Sequence, residues 1–264
     1  MAIYEIYWSP TGGTEKVSDY VCEKLCRDVI RLDLIKRPNA VEDLVLNEDD
    51  ICFISAPSFG GRVPEPEIKL LKMLKPNGAR AVLIAVYGNR HIDDTLTELS
   101  DELKKIGFRC AAALEAVAEH SLARVYGAGR PDDEDRKELN SFGSEIIKAI
   151  EENKASDDVE VPGSHDYKVF NSPPAKPIVS DKCVGCCRCA NECPTGAIPL
   201  EKPNTTNFDK CIACMHCVSI CPEKARSVAP EIAKAMEERL FTRCQGRKEN
   251  KLYIMYKEGQ YARL

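Results

Sequence analysis

Two copies of one cysteine pattern constrain this chain more than any other feature. Asp181-Lys-Cys-Val-Gly-Cys-Cys-Arg-Cys-Ala-Asn-Glu-Cys-Pro194 aligns with Asp209-Lys-Cys-Ile-Ala-Cys-Met-His-Cys-Val-Ser-Ile-Cys-Pro222, 28 residues further on. Both read D-K-C-x2-C-x2-C-x3-C-P. Three cysteines three residues apart share one tight loop and reach three corners of a cube. The fourth corner faces away and must be met by another part of the chain. Zinc sites built from four cysteines also use C-x2-C pairs, but they rarely need three thiolates on one loop and a distant fourth. The tandem spacing therefore predicts two [4Fe–4S] clusters. Nine of the 14 cysteines lie between Cys183 and Cys221. The N-terminus shows no basic segment followed by an apolar one, so we expect no signal peptide and read the cysteines as metal ligands, not disulfides. Cys22, Cys26, Cys52 and Cys110 are scattered through the first half and are expected to be buried small apolar residues.

Over about 50 residues this region resembles the bacterial two-cluster ferredoxins, with a match at all eight ligand positions. In that family the fourth cysteine of each repeat serves the other cluster. The resemblance implies Cys183, Cys186, Cys189 and Cys221 for cluster one. It implies Cys211, Cys214, Cys217 and Cys193 for cluster two. No ligand is replaced, so a three-iron variant is not expected. Cys187 reads as a spare thiol. His216 reads as a hydrogen-bond donor or a surface residue, because eight thiolates already saturate two cubes.

Residues 1–152 carry another signal. Apolar runs at 2–7, 29–34, 51–55, 81–87 and 110–117 alternate with helical spacing at 14–27, 94–106 and 132–151. Continuous runs rich in Ile and Val suit strands covered on both faces. Five strands alternating with four or five helices predict an α/β fold with an open, doubly wound, parallel five-stranded sheet. Residues 153–178 include Ser172-Pro-Pro-Ala-Lys-Pro177, which suits neither helix nor inner strand, and read as a linker. Residues 179–229 are the cysteine domain, a small α+β unit. Residues 230–264 form an extension, with a helix from Pro230 to Phe241. A segment at 251–256 either makes a short closing strand or packs back on the first domain.

After the first strand, Ser9-Pro-Thr-Gly-Gly-Thr14 precedes a helix. Free N–H groups at a helix start converge there, and the dipole favours an anion. Ser9, Thr11 and Thr14 add hydroxyls, and Gly12 and Gly13 let the backbone come close. The loop lacks the G-K-[ST] ending of a P-loop and is not G-x-G-x-x-G. Such turns also serve as plain N-caps. The loop resembles the phosphate loop of flavodoxins, [ST]-x-T-G-x-T, with Gly13 where Asn is common. That resemblance implies a flavodoxin-like fold and FMN, bound at the carboxyl ends of the strands. Two further loops then fall in place. Pro57, Ser58, Phe59, Gly60, Gly61 and Arg62 follow the third strand; Tyr87, Gly88, Asn89 and Arg90 follow the fourth. Phe59 and Tyr87 are candidates to flank the flavin ring. Arg62 and Arg90 read equally well as flavin contacts or surface charges, and Trp8 as a packing residue. His120, after the fifth strand, is a weaker candidate to lie near the flavin. His91 and His165 sit in no constellation that names a catalytic role, so no catalytic residue is assigned.

Residues 1–172 carry a net charge of −10 and residues 173–264 one of +5. The split reads as two ordinary solvated surfaces, or as a basic extension that docks on the acidic first domain and fixes the cluster near the flavin. An overall charge of −5 argues against a nucleic-acid partner. No apolar run approaches the ~20 residues that span a bilayer. The whole chain resembles the flavodoxin–ferredoxin fusion proteins of anaerobic bacteria and archaea. That implies a cytoplasmic electron-transfer protein that relays electrons between FMN and the clusters, with redox partner proteins or a small acceptor. Two other readings remain at this point: an FMN-dependent reductase of a quinone or nitro compound, and a redox-sensing interaction module. No nicotinamide-binding motif is present.

Overall fold

The computed structural model describes residues 1–25 and 28–257, together with the backbone of 261–263. Cys26 lies outside the described residues. Five parallel strands form where the apolar runs fall: β1 (Ile3–Tyr7), β2 (Val29–Asp33), β3 (Ile51–Pro57), β4 (Arg80–Tyr87) and β5 (Arg109–Val117). Their order is β2-β1-β3-β4-β5. Every residue of β1 and β3 is buried, as expected of strands with helices on both faces.

The helices are α1 (Gly13–Cys22), α2 (Glu65–Leu71), α3 (Thr95–Lys105) and α4 (Asp133–Glu151). Val17 and Val21 of α1 and Leu139, Phe142 and Ile146 of α4 fill one face of the sheet. Ile68 and Leu71 of α2 and Leu96, Leu99 and Leu103 of α3 fill the other. The helix expected over 14–27 stops at Cys22, and the chain turns at Glu23 and Lys24. α4 starts on a capping box: Asp132 accepts from the Glu134 and Asp135 N–H groups, and Asp135 accepts from the Asp132 N–H.

The cysteine domain is small. β6 (Ile178–Val179) and β7 (Arg226–Ser227) pair antiparallel and close it. Two single-turn helices, α5 (Arg188–Asn191) and α6 (His216–Ser219), stand 28 residues apart in the two repeats. α7 (Pro230–Leu240) follows, and its Met236 and Leu240 pack with Ala123 of the loop after β5.

The expected sheet of five strands is longer than expected. β8 (Lys251–Met255) adds antiparallel to β5, and β9 (Tyr261–Arg263) adds to β8, giving seven strands. The two readings of residues 251–256 are thus one: the segment packs back on the first domain by becoming a strand of its sheet. Charge assists. Lys251 pairs with Glu115 at 3.2 Å, and Arg247 reaches Asp132 and Glu134 at the start of α4, at 2.7 and 3.1 Å. Asn250 accepts from the Val117 N–H and donates to Asp135, both at 2.9 Å.

The segment at 153–178 is fastened along its length. The Val159 N–H bonds the Cys110 carbonyl at 2.8 Å. Asp94 accepts from the Ser164 and Lys168 N–H groups, both at 2.9 Å. The Tyr167 hydroxyl donates to Asp101. No helix among the described residues is long and apolar enough to cross a membrane.

Candidate redox centres

The eight cysteines fall into two sets of four around two hollows. One is lined by Cys183, Cys186, Cys189 and Cys221, with Cys187, Pro203 and Arg226. The other is lined by Cys211, Cys214, Cys217 and Cys193, with Ile198, Ile212 and His216. Each hollow therefore takes three cysteines from one repeat and the fourth from the other. A lone zinc ion needs four sulfurs within about 2.3 Å of a single point. Two sets of four thiols, each with three on one loop and a fourth from the other repeat, are the donor pattern of a cubane iron–sulfur group.

The local backbone explains how these loops form. Left-handed residues recur in both repeats at the same offset: Gly185 and Ala213, Cys187 and Met215, Gly196 and Lys224. Four of these six carry side chains, a conformation that costs roughly 1–3 kcal/mol each and persists only where the surroundings impose it. Its effect is to turn N–H groups toward sulfur. The Ala197 N–H lies 3.3 Å from Cys193 Sγ, and the Ala225 N–H lies 3.3 Å from Cys221 Sγ. Such bonds favour thiolates and tune a bound cluster. Burial, with crowding by neighbouring thiols, pushes Cys214 and Cys217 up to about 12, so these sulfurs need a metal to hold them as thiolates. The donors present fit iron–sulfur clusters.

The repeats differ at one buried position. Arg226 is 3% exposed, and its Nε donates to Cys189 Sγ at 3.2 Å. The residue 28 positions earlier is Ile198, also buried. One hollow thus has a buried guanidinium beside it where the other has an aliphatic side chain. Residue type and spacing did not single Arg226 out; only the offset alignment with Ile198 could have drawn notice to it.

The three loops expected to hold a flavin end β1, β3 and β4, side by side in the sheet. In the first, Gly12 has φ +86°, Gly13 opens α1, and the Lys16 N–H begins the helical ladder on the Gly12 carbonyl. Ser9 Oγ accepts from the Glu15 N–H at 2.9 Å. Thr11 and Gly12 are exposed, whereas Ser9 and Thr14 are buried. A Cβ on Gly12 would touch nothing within 4 Å, so the space beside the helix start is open. Trp8, directly before the loop, is fully buried and packs edge-on against Phe59 at 5.7 Å, and its indole N–H has no partner. It is a packing residue, as expected, with an orphaned donor. An open helix start with hydroxyls beside it fits a phosphate held by backbone and hydroxyl donors.

In the second loop, Ser58 donates its N–H to the Val86 carbonyl at 2.7 Å, and Phe59 and Arg62 bond each other across Gly60 and Gly61. The Arg62 side chain is committed elsewhere. It forks onto Glu98 at 2.8 and 2.6 Å, donates to the Lys168 carbonyl at 2.7 Å and lies 4.8 Å over the Tyr167 ring. Arg62 therefore clamps residues 167–168 to α3. Phe170 lies over Gly60, within 3.5 Å of where a Cβ would be.

In the third loop, Tyr87 is buried, and burial pushes its phenol well up. Asn89 is left-handed and buried, and its amide donates to the Cys244 and Gly246 carbonyls at 2.7 and 2.9 Å. The C-terminal extension is thus bonded to this loop. Arg90 pairs with Asp93. Gly88 packs against His120, whose Cα would lie 2.7 Å from a Cβ there. His120 accepts on Nδ1 from the Leu122 and Ala123 N–H groups at 3.2 and 3.1 Å, and burial beside Arg90 lowers it to about 4. His91 and His165 are exposed.

The second hollow is the one that meets these loops. Cys214 and Ile212 pack in the same apolar cluster as Trp8 and Phe59. Ser172 donates to the Cys211 carbonyl at 3.1 Å, two residues beyond Phe170. His216 lines this hollow and is not a surface residue. It is 5% exposed, with Nδ1 2.9 Å from the Pro10 carbonyl and Nε2 3.2 Å from Glu192.

Residues 179–226 match the family model described as a 4Fe-4S dicluster domain. No curated protein matches the chain. Among solved structures, a flavodoxin from Streptococcus pneumonia TIGR4 is 18% identical, covers 56% of this chain and 99% of its own, with a TM-score of 0.40. The Fusobacterium nucleatum flavodoxin bound to flavin mononucleotide is 16% identical, covers 56% of this chain and 97% of its own, with a TM-score of 0.39. The rubredoxin oxygen:oxidoreductase from Desulfovibrio gigas is 13% identical and covers 57% of this chain and 36% of its own, with a TM-score of 0.40. The β2-β1-β3-β4-β5 order, with helices on both faces, is itself the flavodoxin-like order. The chain joins a flavodoxin-like α/β fold to a 4Fe–4S dicluster domain.

Proposed function

We propose that this chain is an iron–sulfur flavoprotein that relays electrons among FMN, a [4Fe–4S] cluster held by Cys211, Cys214, Cys217 and Cys193, and a second held by Cys183, Cys186, Cys189 and Cys221. FMN exchanges one or two electrons and each cluster exchanges one, so the assembly converts between one- and two-electron carriers. The observation that carries this reading is the contact between the two halves. The helix α6, which bears Cys217, is hydrogen-bonded to the Pro10 carbonyl of the first loop.

The protein's part is to bind, orient and exclude water. Thr11, Gly12, Gly13 and Thr14 offer N–H groups and hydroxyls to the FMN phosphate. Phe59 and Tyr87 flank the ring. Trp8, Phe59, Ile212 and Cys214 make a dry wall between the flavin loops and the inner cluster. The outer cluster is the port for a redox partner, because Cys186 is exposed and Val184 beside it is 68% exposed. No side chain is required as acid or base.

Cofactor content of protein purified without oxygen tests the reading. We expect about one FMN and about eight iron per chain, with stepwise reduction of three centres. Eight iron with no flavin, and none taken up on adding FMN, would sink it.

A further inference from the structure

The Pro10 carbonyl accepts two hydrogen bonds from the other half of the molecule. His216 Nδ1 lies 2.9 Å from it and Ser219 Oγ lies 2.8 Å. Both sit on α6, around Cys217, and the single Ser219 hydroxyl proton is shared with the His216 carbonyl 2.9 Å away. The far side of the imidazole meets Glu192, directly before Cys193 in the chain. One buried side chain therefore touches the elements that carry two of the four cysteines of the inner hollow, and the flavin loop as well.

Pro10 makes this contact consequential. Its ring fixes φ and it has no N–H, so ψ alone orients the peptide that follows. That peptide is planar, so its carbonyl oxygen and the Thr11 N–H point in opposite directions. Two bonds on the carbonyl set ψ, and with it the direction of the Thr11 N–H, one of the donors available to an anion. Thr11 and Gly12 are exposed, so little else holds this peptide.

We propose that His216 and Ser219 couple the two cofactor sites: the inner cluster's helix holds the flavin loop in its binding conformation, so filling either site favours the other. His216 is a positioning residue in this scheme, not a ligand. The coupling is reciprocal, as any coupling of binding free energies must be. It rests on the FMN reading above.

The test is the FMN dissociation constant of iron-loaded protein, read by loss of free-flavin fluorescence, with iron content checked in every variant. Wild type is compared with His216→Ala, His216→Asn and Ser219→Ala. An Asn amide N–H₂ can still reach the Pro10 carbonyl, although it abandons Glu192. With iron retained, we expect His216→Ala to weaken FMN binding about five- to tenfold, and Ser219→Ala about two- to fivefold, the scale of one lost hydrogen bond each. His216→Asn should stay within about twofold of wild type. Unchanged affinity in both alanine variants overturns the coupling. So does an Asn variant as weak as the Ala variant, because the Pro10 contact is then not the cause. A wild-type chain that takes up no FMN fails differently: it overturns the flavin reading itself, and the coupling with it.

Discussion

Glu67 of α2 is fully buried, and neither of its carboxylate oxygens has a partner. Burial, with the charge of Glu98 adding to it, raises its pKa well above the ordinary 4.5. An acid raised in this way binds its proton more tightly folded than unfolded. Its burial is tolerated at low pH, and stability is lost as pH rises from the unfolded value toward the higher folded one. Glu67→Gln removes the charge and keeps the shape. We expect it to melt at a higher temperature than wild type at pH 8, by about 1–2 kcal/mol of added stability, and to match wild type near pH 4. Parallel melting curves across that range would refute the assignment. Nothing in Glu-Pro-Glu-Ile-Lys-Leu-Leu marks this carboxyl as buried, because only the rotation of a short helix against its neighbours places it inward. The cysteines that line the two hollows were legible at this same scale, because their spacing recurs in two copies.

Elements show the same division. The five parallel strands were readable, because strands covered on both faces must be apolar throughout. The helix α1 was expected to be longer than it is. The strand β8 was ambiguous, since an apolar run beside lysine suits either an edge strand or a packed segment. The register Ala112 to Ile254 and the pair Glu115 to Lys251 decide the matter, and they involve residues more than 130 positions apart. The contact of α1 with α4 is equally hidden. A Cβ on Gly143 would lie 2.0 Å from the Val21 carbonyl oxygen, so the helices meet there backbone to side-chain gap. Gly→Ala within a helix normally gains up to about 1 kcal/mol. Here the overlap wins, and Gly143→Ala should cost about 2–3 kcal/mol in denaturant unfolding. A stabilised variant would mean that the helices part easily.

At the scale of the molecule, the two hollows are related by the repeat but are not equivalent. Arg226 puts a buried positive charge against Cys189 of the outer set, whereas Ile198 stands at the corresponding place in the other. A nearby cation stabilises the reduced, more negative cluster. Arg226→Met should therefore lower the reduction potential of the outer cluster most, and that of the inner one by less, because the Arg226 charge also reaches Cys217. A redox titration followed by EPR separates the two signals; if both move equally, or neither does, the asymmetry has no electrostatic consequence. The direction fits the layout. The outer hollow has the exposed Cys186 at its edge, whereas α6 beside the inner one bonds the Pro10 carbonyl and Ser172 bonds the Cys211 carbonyl.

By itself the sequence determined what spacing and periodicity enforce: eight cysteines in two like runs, a parallel α/β sheet, and a glycine-and-hydroxyl turn at a helix start, while the crossing of the two sets was implied by the resemblance to two-cluster ferredoxins. Each is local or periodic, so neighbouring residues carry the whole signal. Tertiary structure alone decided which hollow meets the loops after β1 and β3, that residues 167–170 cover the second of them, and that the extension joins the sheet and bonds Asn89. It alone brought His216 to Pro10, 206 residues away in the chain. These contacts depend on where whole elements come to rest, and no periodicity of residue types records the distance between two buried partners.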